Sequence, residues 1–301
     1  MHVTFRQLSL FVALAQHRSV SSVARAFHVT QPTVSMQLRD LSETVGMPLY
    51  EMIGKQIHLT AAGEALAKTA QTMISEWSDY QDWISSMKGL SKGRLRVAMV
   101  STAKYFVPRL LGTFCQKYPD IEIALEIQNR DGVVRRLREN LDDLYVMSTP
   151  PKDVETEQRR FLSNPLVIVA PLTHPLSKAK SIRLSKLQNE RFILREKGSG
   201  TRMACDNFFQ KQQFHPVVRL ELGSNEAIKQ AVAGGLGLSI LSRYALAELP
   251  ENESLVVLKV QGFPIHSHWY TVTLLGKRLT PTAQAFLSFL NTQAEQIEAQ
   301  L

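Results

Sequence analysis

The sequence predicts an α/β protein in three parts: an N-terminal winged helix-turn-helix, a long helix, and a two-lobed α/β body. Three observations predict it. Two short amphipathic helices meet at a tight corner between Ser19 and Gly46. A seven-residue apolar repeat then runs through residues 61–88. From Gly93 onward, short β-rich runs alternate with helical patterns, as in a largely parallel sheet with helices on its faces.

In the head, Val20, Val23, Ala24 and Phe27 recur at helical spacing and give the first helix of the corner one buried face. His28-Val29-Thr30 is the joint. The second helix opens with Pro32 in its first turn, where a missing N–H costs nothing, and buries Val34, Leu38, Leu41 and Val45. That leaves Gln31, Thr33, Ser35, Met36, Gln37 and Arg39 for its outer face and leading end. These side chains carry donors and acceptors suited to base edges in a major groove. Upstream, Phe5, Leu8, Phe11, Val12 and Ala15 mark a helix able to cover the pair. Downstream, residues 48–60 read as strand, Gly54 turn and strand, a wing with Lys55 at its tip in reach of a phosphate. The candidate DNA-contacting set is Arg25, Thr30, Gln31, Pro32, Thr33, Ser35, Gln37, Arg39 and Lys55.

Next, Leu66, Ala70, Met73, Trp77, Tyr80, Ile84 and Met87 are spaced alternately four and three. A period of 3.5 drives two helices to wind together, so a homodimer is expected. Pairing would set two recognition helices against a pseudo-palindromic site. A single-chain amphipathic helix, with Ile74 and Trp83 widening the stripe, is the competing reading. Gly89-Leu90-Ser91-Lys92-Gly93 reads as a hinge.

In the body, strands are expected at Arg94–Val100, Ile121–Ile127, Asp143–Met147, Pro165–Ala170, Val218–Leu222, Leu238–Leu241, Leu255–Val260 and His268–Leu275. Helices are expected at Lys104–Tyr118, Gly132–Asn140, Thr201–Gln213, Asn225–Gly234 and Pro281–Gln300. The last strand and helix should return to the first lobe. The expected division is 1–60 for the DNA-binding head, 61–88 for the dimerisation helix and 89–301 for the body. Within the body, lobe I takes about 93–162 and 268–301, and lobe II about 163–267.

Strand ends and helix N-termini converge between such lobes, which makes the cleft the expected ligand site. Ser101 and Thr102 follow the first strand, and Asn129-Arg130 the second. Glu196-Lys197-Gly198-Ser199-Gly200-Thr201-Arg202 is a flexible loop leading into a helix, and Gly223-Ser224-Asn225 precedes another. With Lys104, Arg130, Arg195, Lys197 and Arg202 near these mouths, a small anionic molecule is the natural partner. The candidate set is Ser101, Thr102, Lys104, Asn129, Arg130, Arg195, Gly200, Thr201, Arg202 and Asn225. Arg135, Arg136 and Arg138 are read instead as a solvated helix face.

The net charge of +8, from 35 Lys/Arg and 27 Asp/Glu, does not by itself argue for nucleic acid. Residues 1–90 hold seven of each sign, so residues 91–301 carry the whole excess. The first nineteen residues lack a basic start and a cleavage site and are not expected to be a secretory signal. No apolar run reaches membrane-spanning length. Cys115 and Cys205, each in an expected helix, fit reduced thiols in a cytoplasmic protein. No metal site, cofactor or catalytic set is expected. His266-x-His268 lacks a third ligand, the loop at 196–202 lacks the Walker lysine pattern, and no serine has a nucleophile-elbow context.

Residues 1–63 resemble the DNA-binding end of LysR-type transcriptional regulators. Phe5–Leu8, Ser22-Val23-Ala24, Thr30-Gln31-Pro32, Val34-Ser35, Gly46-Met47-Pro48-Leu49-Tyr50 and Leu59-Thr60-Ala61-Ala62-Gly63 carry that resemblance in order. Met36 and Met52 depart from it, standing where arginine is frequent. The body resembles the same family's periplasmic-binding-protein-like effector domain. More narrowly it is similar to the subgroup controlling Calvin-cycle operons, through STAKYFVPRLLGTFCQKYPDIE, LRENLDDLYVM, NPLVIVAPLTHPL, REKGSGTR and GSNEAIKQAVAGGLGLSILS. The resemblance implies promoter DNA as a partner, with phosphorylated or nucleotide metabolites bound between the lobes at positions matching Ser101, Thr102 and Thr201. It also implies tetramers built as dimers of dimers, with RNA polymerase as a further candidate partner. A regulator of another metabolic operon, a two-lobed solute-binding protein and an α/β enzyme with a helical accessory module remain alternatives.

Overall fold

The computed structural model describes residues 2–54, 56–86, 93–246 and 255–298. The chain divides into two compact units, Met1–Ile84 and Ser85–Leu301.

The first unit packs three helices, α1 (Phe5–His17), α2 (Val20–Ala26) and α3 (Gln31–Val45), beside a hairpin of β1 (Tyr50–Ile53) and β2 (Gln56–Leu59). Thr4 opens α1 with a reciprocal cap: its hydroxyl accepts from Gln7 N–H at 3.2 Å while the Gln7 amide oxygen accepts from Thr4 N–H at 2.9 Å. The apolar faces read from the sequence meet in one core of Leu10, Phe11, Leu14, Val23, Val34, Leu38, Leu41, Leu49 and Ile57. Thr60 fastens the hairpin to the next helix, α4 (Ala61–Ser86). Its N–H donates to Leu49 O at 3.1 Å, and its hydroxyl donates to Pro48 O at 2.7 Å and accepts from Gly63 N–H at 3.0 Å.

The seven-residue seam on α4 splits in two. Ala70 is buried against Leu8 and Val12 of α1, with Leu66 half-buried beside it. Met73, Trp77, Tyr80 and Ile84 stay 40–50% exposed. The spacing at the head end thus serves packing within the chain, and the stripe beyond it stays half-exposed, with Trp77 tilted against Phe5 of α1 at 5.9 Å. Met87 lies outside the described residues.

The second unit holds β3 (Gly93–Val100), α5 (Val107–Lys117), β4 (Ile121–Gln128), α6 (Arg130–Arg138), β5 (Leu144–Met147), β6 (Thr156–Pro171) and β7 (Arg191–Arg195). It continues with α7 (Gly200–Lys211), β8 (Val217–Leu222), α8 (Asn225–Ala233), β9 (Leu238–Ser242), β10 (Leu255–Leu258), β11 (Ile265–Leu274) and α9 (Pro281–Glu298). The strands follow the order β4-β3-β5-β11-β6-β9-β7-β8, with β10 on β6. Pairings are parallel around β3 and β7 but antiparallel wherever β6 or β11 takes part. Two long strands, rather than loops, therefore join the lobes.

That corrects the sequence reading, which began the β6 strand at Pro165 and omitted β7. Residues 156–160 (TEQRR) are polar on both faces and show no alternation, while Phe192–Leu194 are apolar on both faces of a short strand. The helix expected from Lys104 also differs. Residues Ser101–Tyr105 form a 3-10 turn, and α5 starts afresh with Pro108 in its first turn.

Lobe I has one large core, in which Phe286 and Leu290 of the returning α9 pack with Phe106, Phe114, Tyr145 and Trp269. Lobe II is covered on both faces, by Phe209 and Phe214 against Phe192 on one side and by Ile228 and Val232 against Ile193 on the other. Arg136 is not part of a solvated face. It clamps the buried Asp142 carboxylate with two bonds of 2.8 Å, and Arg96 holds buried Asp143 at 2.8 Å. Arg135 is exposed, and Arg138 pairs with exposed Asp153 at 2.6 Å. Cys115 and Cys205 are free; burial raises the Cys205 thiol well above its ordinary range, so it stays protonated and inert. Among the described residues no helix is long and apolar enough to cross a membrane.

Candidate effector cleft and nucleic-acid interface

In the head, Thr30 is the N-cap of α3. Its hydroxyl accepts from Thr33 N–H at 3.4 Å and lies 2.8 Å from the Thr33 hydroxyl. Both threonines are thus tied into the start of the helix, and their task is to fix its leading end. Gln31, Pro32, Met36 and Arg39 are exposed on the face opposite Val34, Leu38 and Leu41, with Ser35 and Gln37 half-buried at its margins. Arg25, exposed at the end of α2, reaches the Ser22 hydroxyl at 3.5 Å. Met36 is 55% and Met52 61% exposed. The surface thus offers thioethers at the two positions where the family resemblance leads one to expect arginine. Lys55 lies outside the described residues.

In the body, five chain segments converge where strands give way to helices. Ser101-Thr102 follow β3, Asn129-Arg130 open α6, and Ser148-Thr149 follow β5. Ser199-Gly200-Thr201 open α7, and Ser224-Asn225 open α8. Asn129, Ser199 and Ser224 each cap a helix through the side-chain oxygen. Gly200 comes so close to β5 that a Cβ there would sit 3.0 Å from the Ser148 hydroxyl and 3.4 Å from that of Thr149. Ser148 and Thr149 were not singled out from the sequence, because their place opposite Gly200 arises only from the pairing of lobes. Thr102, Thr201 and Asn225 are all buried. Among the described residues the Thr102 and Thr201 hydroxyls have no partner, and the buried Asn225 Nδ2 has none either. The first N–H groups of α7 also lack intrahelical acceptors. These donors are hydroxyls, an amide and a helix end, groups of the kind that can meet an anion.

Four of the cations around these groups are already engaged. Arg195, 3% exposed, grips Glu196 at 2.7 and 3.0 Å, Asn225 Oδ1 at 2.9 Å and the Ser101 hydroxyl at 3.1 Å, so it ties lobe II to lobe I. Arg202 turns away to Asp206 at 2.9 Å and Glu221 at 2.8 Å. Arg130 donates to Thr149 O at 2.7 Å and meets Asp131 at 3.3 Å. Lys104 pairs across the cleft with Glu226 at 2.7 Å, and the same carboxylate accepts from the Tyr105 hydroxyl at 2.5 Å. Burial acts to raise Glu226, but the bonds from Lys104 and Tyr105 outweigh it and hold the carboxyl at about 2. Desolvation and the same bond push the Tyr105 phenol upward. Of the basic mouth expected from the sequence, Lys104, Arg130, Arg195 and Arg202 are therefore matched by Glu226, Asp131, Glu196, Asp206 and Glu221, while Lys197 is exposed. Lys104–Glu226 spans 122 positions, a separation at which sequence spacing carries no signal. Among the described residues no cluster of three metal-ligating side chains occurs.

Residues 5–64 match the bacterial regulatory helix-turn-helix family of lysR type, and residues 88–295 match the LysR substrate binding domain. The chain belongs to the LysR family. Among LysR relatives, the HTH-type transcriptional activator CmpR of Synechocystis sp. is 47% identical over 98% of this chain and 97% of its own length. The RuBisCO operon transcriptional regulator of Acidithiobacillus ferrooxidans is 44% identical over 96% of this chain and 94% of its own. Among solved LysR structures, the Synechocystis CcmR regulatory domain in complex with 2-PG is 46% identical, with a TM-score of 0.66. It covers 68% of this chain and 98% of the domain.

Proposed function

We propose that this LysR-type regulator governs carbon-fixation genes in response to a small phosphorylated anion held between its lobes. The observation that carries this reading is the set of buried, unpaired Thr102, Thr201 and Asn225 groups at the end of β3 and the starts of α7 and α8. Such groups suit a small phosphorylated anion, and the similar CcmR domain was solved in complex with 2-PG, 2-phosphoglycolate. The naming of two relatives for an activator and for RuBisCO operon control supports the choice of regulon. On this reading the head binds promoter DNA through Gln31, Ser35, Gln37, Arg39, Arg25 and Lys55. Thr30, Pro32 and Thr33 set the recognition helix.

The same division into a head (1–60), a rod (61–88) and a body (89–301) is proposed as the functional one. The half-exposed stripe of Met73, Trp77, Tyr80 and Ile84 supports pairing of two rods, and a tetramer and contact with RNA polymerase are proposed from family resemblance. The chain acts by binding and not by turnover, inside the cytoplasm. In the free state Glu226 occupies Lys104, and an anionic ligand displaces it. That rearranges the lobe contacts and hence the spacing of the heads. Titration calorimetry of the full chain with 2-phosphoglycolate tests the reading. Binding that Thr201→Val abolishes supports it; equal binding by that variant, or none by either protein, rejects it.

A further inference from the structure

The cleft leaves the basic excess of the body unexplained, since Lys104, Arg130, Arg195 and Arg202 are each matched by a carboxylate. A cavity of about 380 Å³ lies in lobe II, lined by none of the residues named at the cleft. Lys180, Arg243 and Lys259 line it, and among the described residues no acidic side chain does. Among the described residues none of these three cations has a carboxylate partner.

The walls are fixed by the backbone. Ile182 N–H donates to Lys259 O and Gln261 N–H to Ile182 O, both at 2.8 Å, while the Gln261 amide donates to the Ser181 hydroxyl at 3.2 Å. Lys180 and Lys259 are thereby carried on two adjoining segments, with Arg243 following β9. One side of the cavity is apolar, where Phe263 is braced edge-on against Phe208 at 4.8 Å. Three like charges around one concavity repel one another, and an anion that enters relieves the repulsion. A volume of this size suits a small molecule.

We infer that this cavity is a second anion site, taking a phosphorylated small molecule with two or more negative charges and a less polar part set against Phe263. Because it shares nothing with the cleft, a ligand here can report on a second metabolite independently of the first.

Inorganic pyrophosphate is the probe, titrated calorimetrically into the full chain at low salt. Thr201→Val, in which the cleft is impaired, should still bind it, and in that background the double change at the exposed positions, Lys180→Gln/Lys259→Gln, should weaken it by about tenfold or more. Arg243→Gln should weaken it as a single change. Unchanged far-ultraviolet circular dichroism shows that the variants are folded. Absence of pyrophosphate binding at millimolar concentration, binding indifferent to the three substitutions, or binding lost in Thr201→Val would each overturn the assignment. So would variants whose only defect is weaker promoter binding, which would make the cavity a contact for the DNA backbone.

Discussion

Replacing Glu226 by glutamine probes the link across the cleft. The change removes one ion pair and weakens one hydrogen bond. Lys104 and Glu226 are 35% and 47% exposed, so solvent screens their pairing to about 0.2–1 kcal/mol. The Tyr105 hydroxyl donates to a carboxylate, a bond of about 1.5–3 kcal/mol, part of which the glutamine oxygen keeps. A net loss of about 1–2 kcal/mol from the ligand-free state follows. If an anionic effector must displace Glu226 from Lys104, Glu226→Gln removes that cost, and affinity should rise about 5- to 30-fold. Calorimetry with 2-phosphoglycolate on wild type and variant measures it directly. Affinity that stays the same or falls would show that Glu226 supports the bound state, and the reasoning would fail. The pH dependence gives a second check. With Glu226 held at about 2 against an ordinary 4.5, its contribution is complete above 4.5 and is lost as pH falls toward 2. The advantage of the variant should therefore be full near neutrality and shrink in acid.

Three further outcomes are expected. Thr201→Val should weaken 2-phosphoglycolate by about tenfold or more, because a buried hydroxyl with no partner inside the chain is lost to the ligand; gel shifts should show promoter affinity unchanged. Met36→Arg should tighten promoter binding and steepen the dependence of log affinity on log salt by about 0.9, one added phosphate contact, as read from a salt series. Gly63→Ala should cost the head about 1–3 kcal/mol or more in denaturant unfolding. An added Cβ would sit 1.8 Å from the Leu49 carbonyl oxygen, a backbone atom held by its bond from Thr60.

Much of this molecule was legible in its residues. Periodic apolar faces placed α1, α2 and α3, and polar strand ends marked Asn129, Ser199 and Ser224, because helix caps use few residue types in fixed positions. What escaped was non-local. The first half of β6 has no alternation, since its ladder with β11 supplies the order that TEQRR lacks. The cleft carboxylates escaped for the same reason. Glu226 meets Lys104 only after two lobes have folded, and Glu196 sits beside Arg195 in a way that adjacency in a strand argues against. Arg136 was misread because its partner Asp142 lies beyond the end of its own helix. The charge of the cleft thus depended on the fold, whereas its hydroxyls could be read directly.

The central claim is that a phosphorylated metabolite held in the body changes how the head engages promoter DNA. Nuclease footprinting of a carbon-fixation promoter by the full chain, with and without 2-phosphoglycolate, tests it most directly. The account predicts a footprint whose extent or bend-induced hypersensitivity changes with the ligand for wild type and stays fixed for Thr201→Val. A footprint that the ligand leaves untouched in wild type, although calorimetry shows it bound, would contradict it.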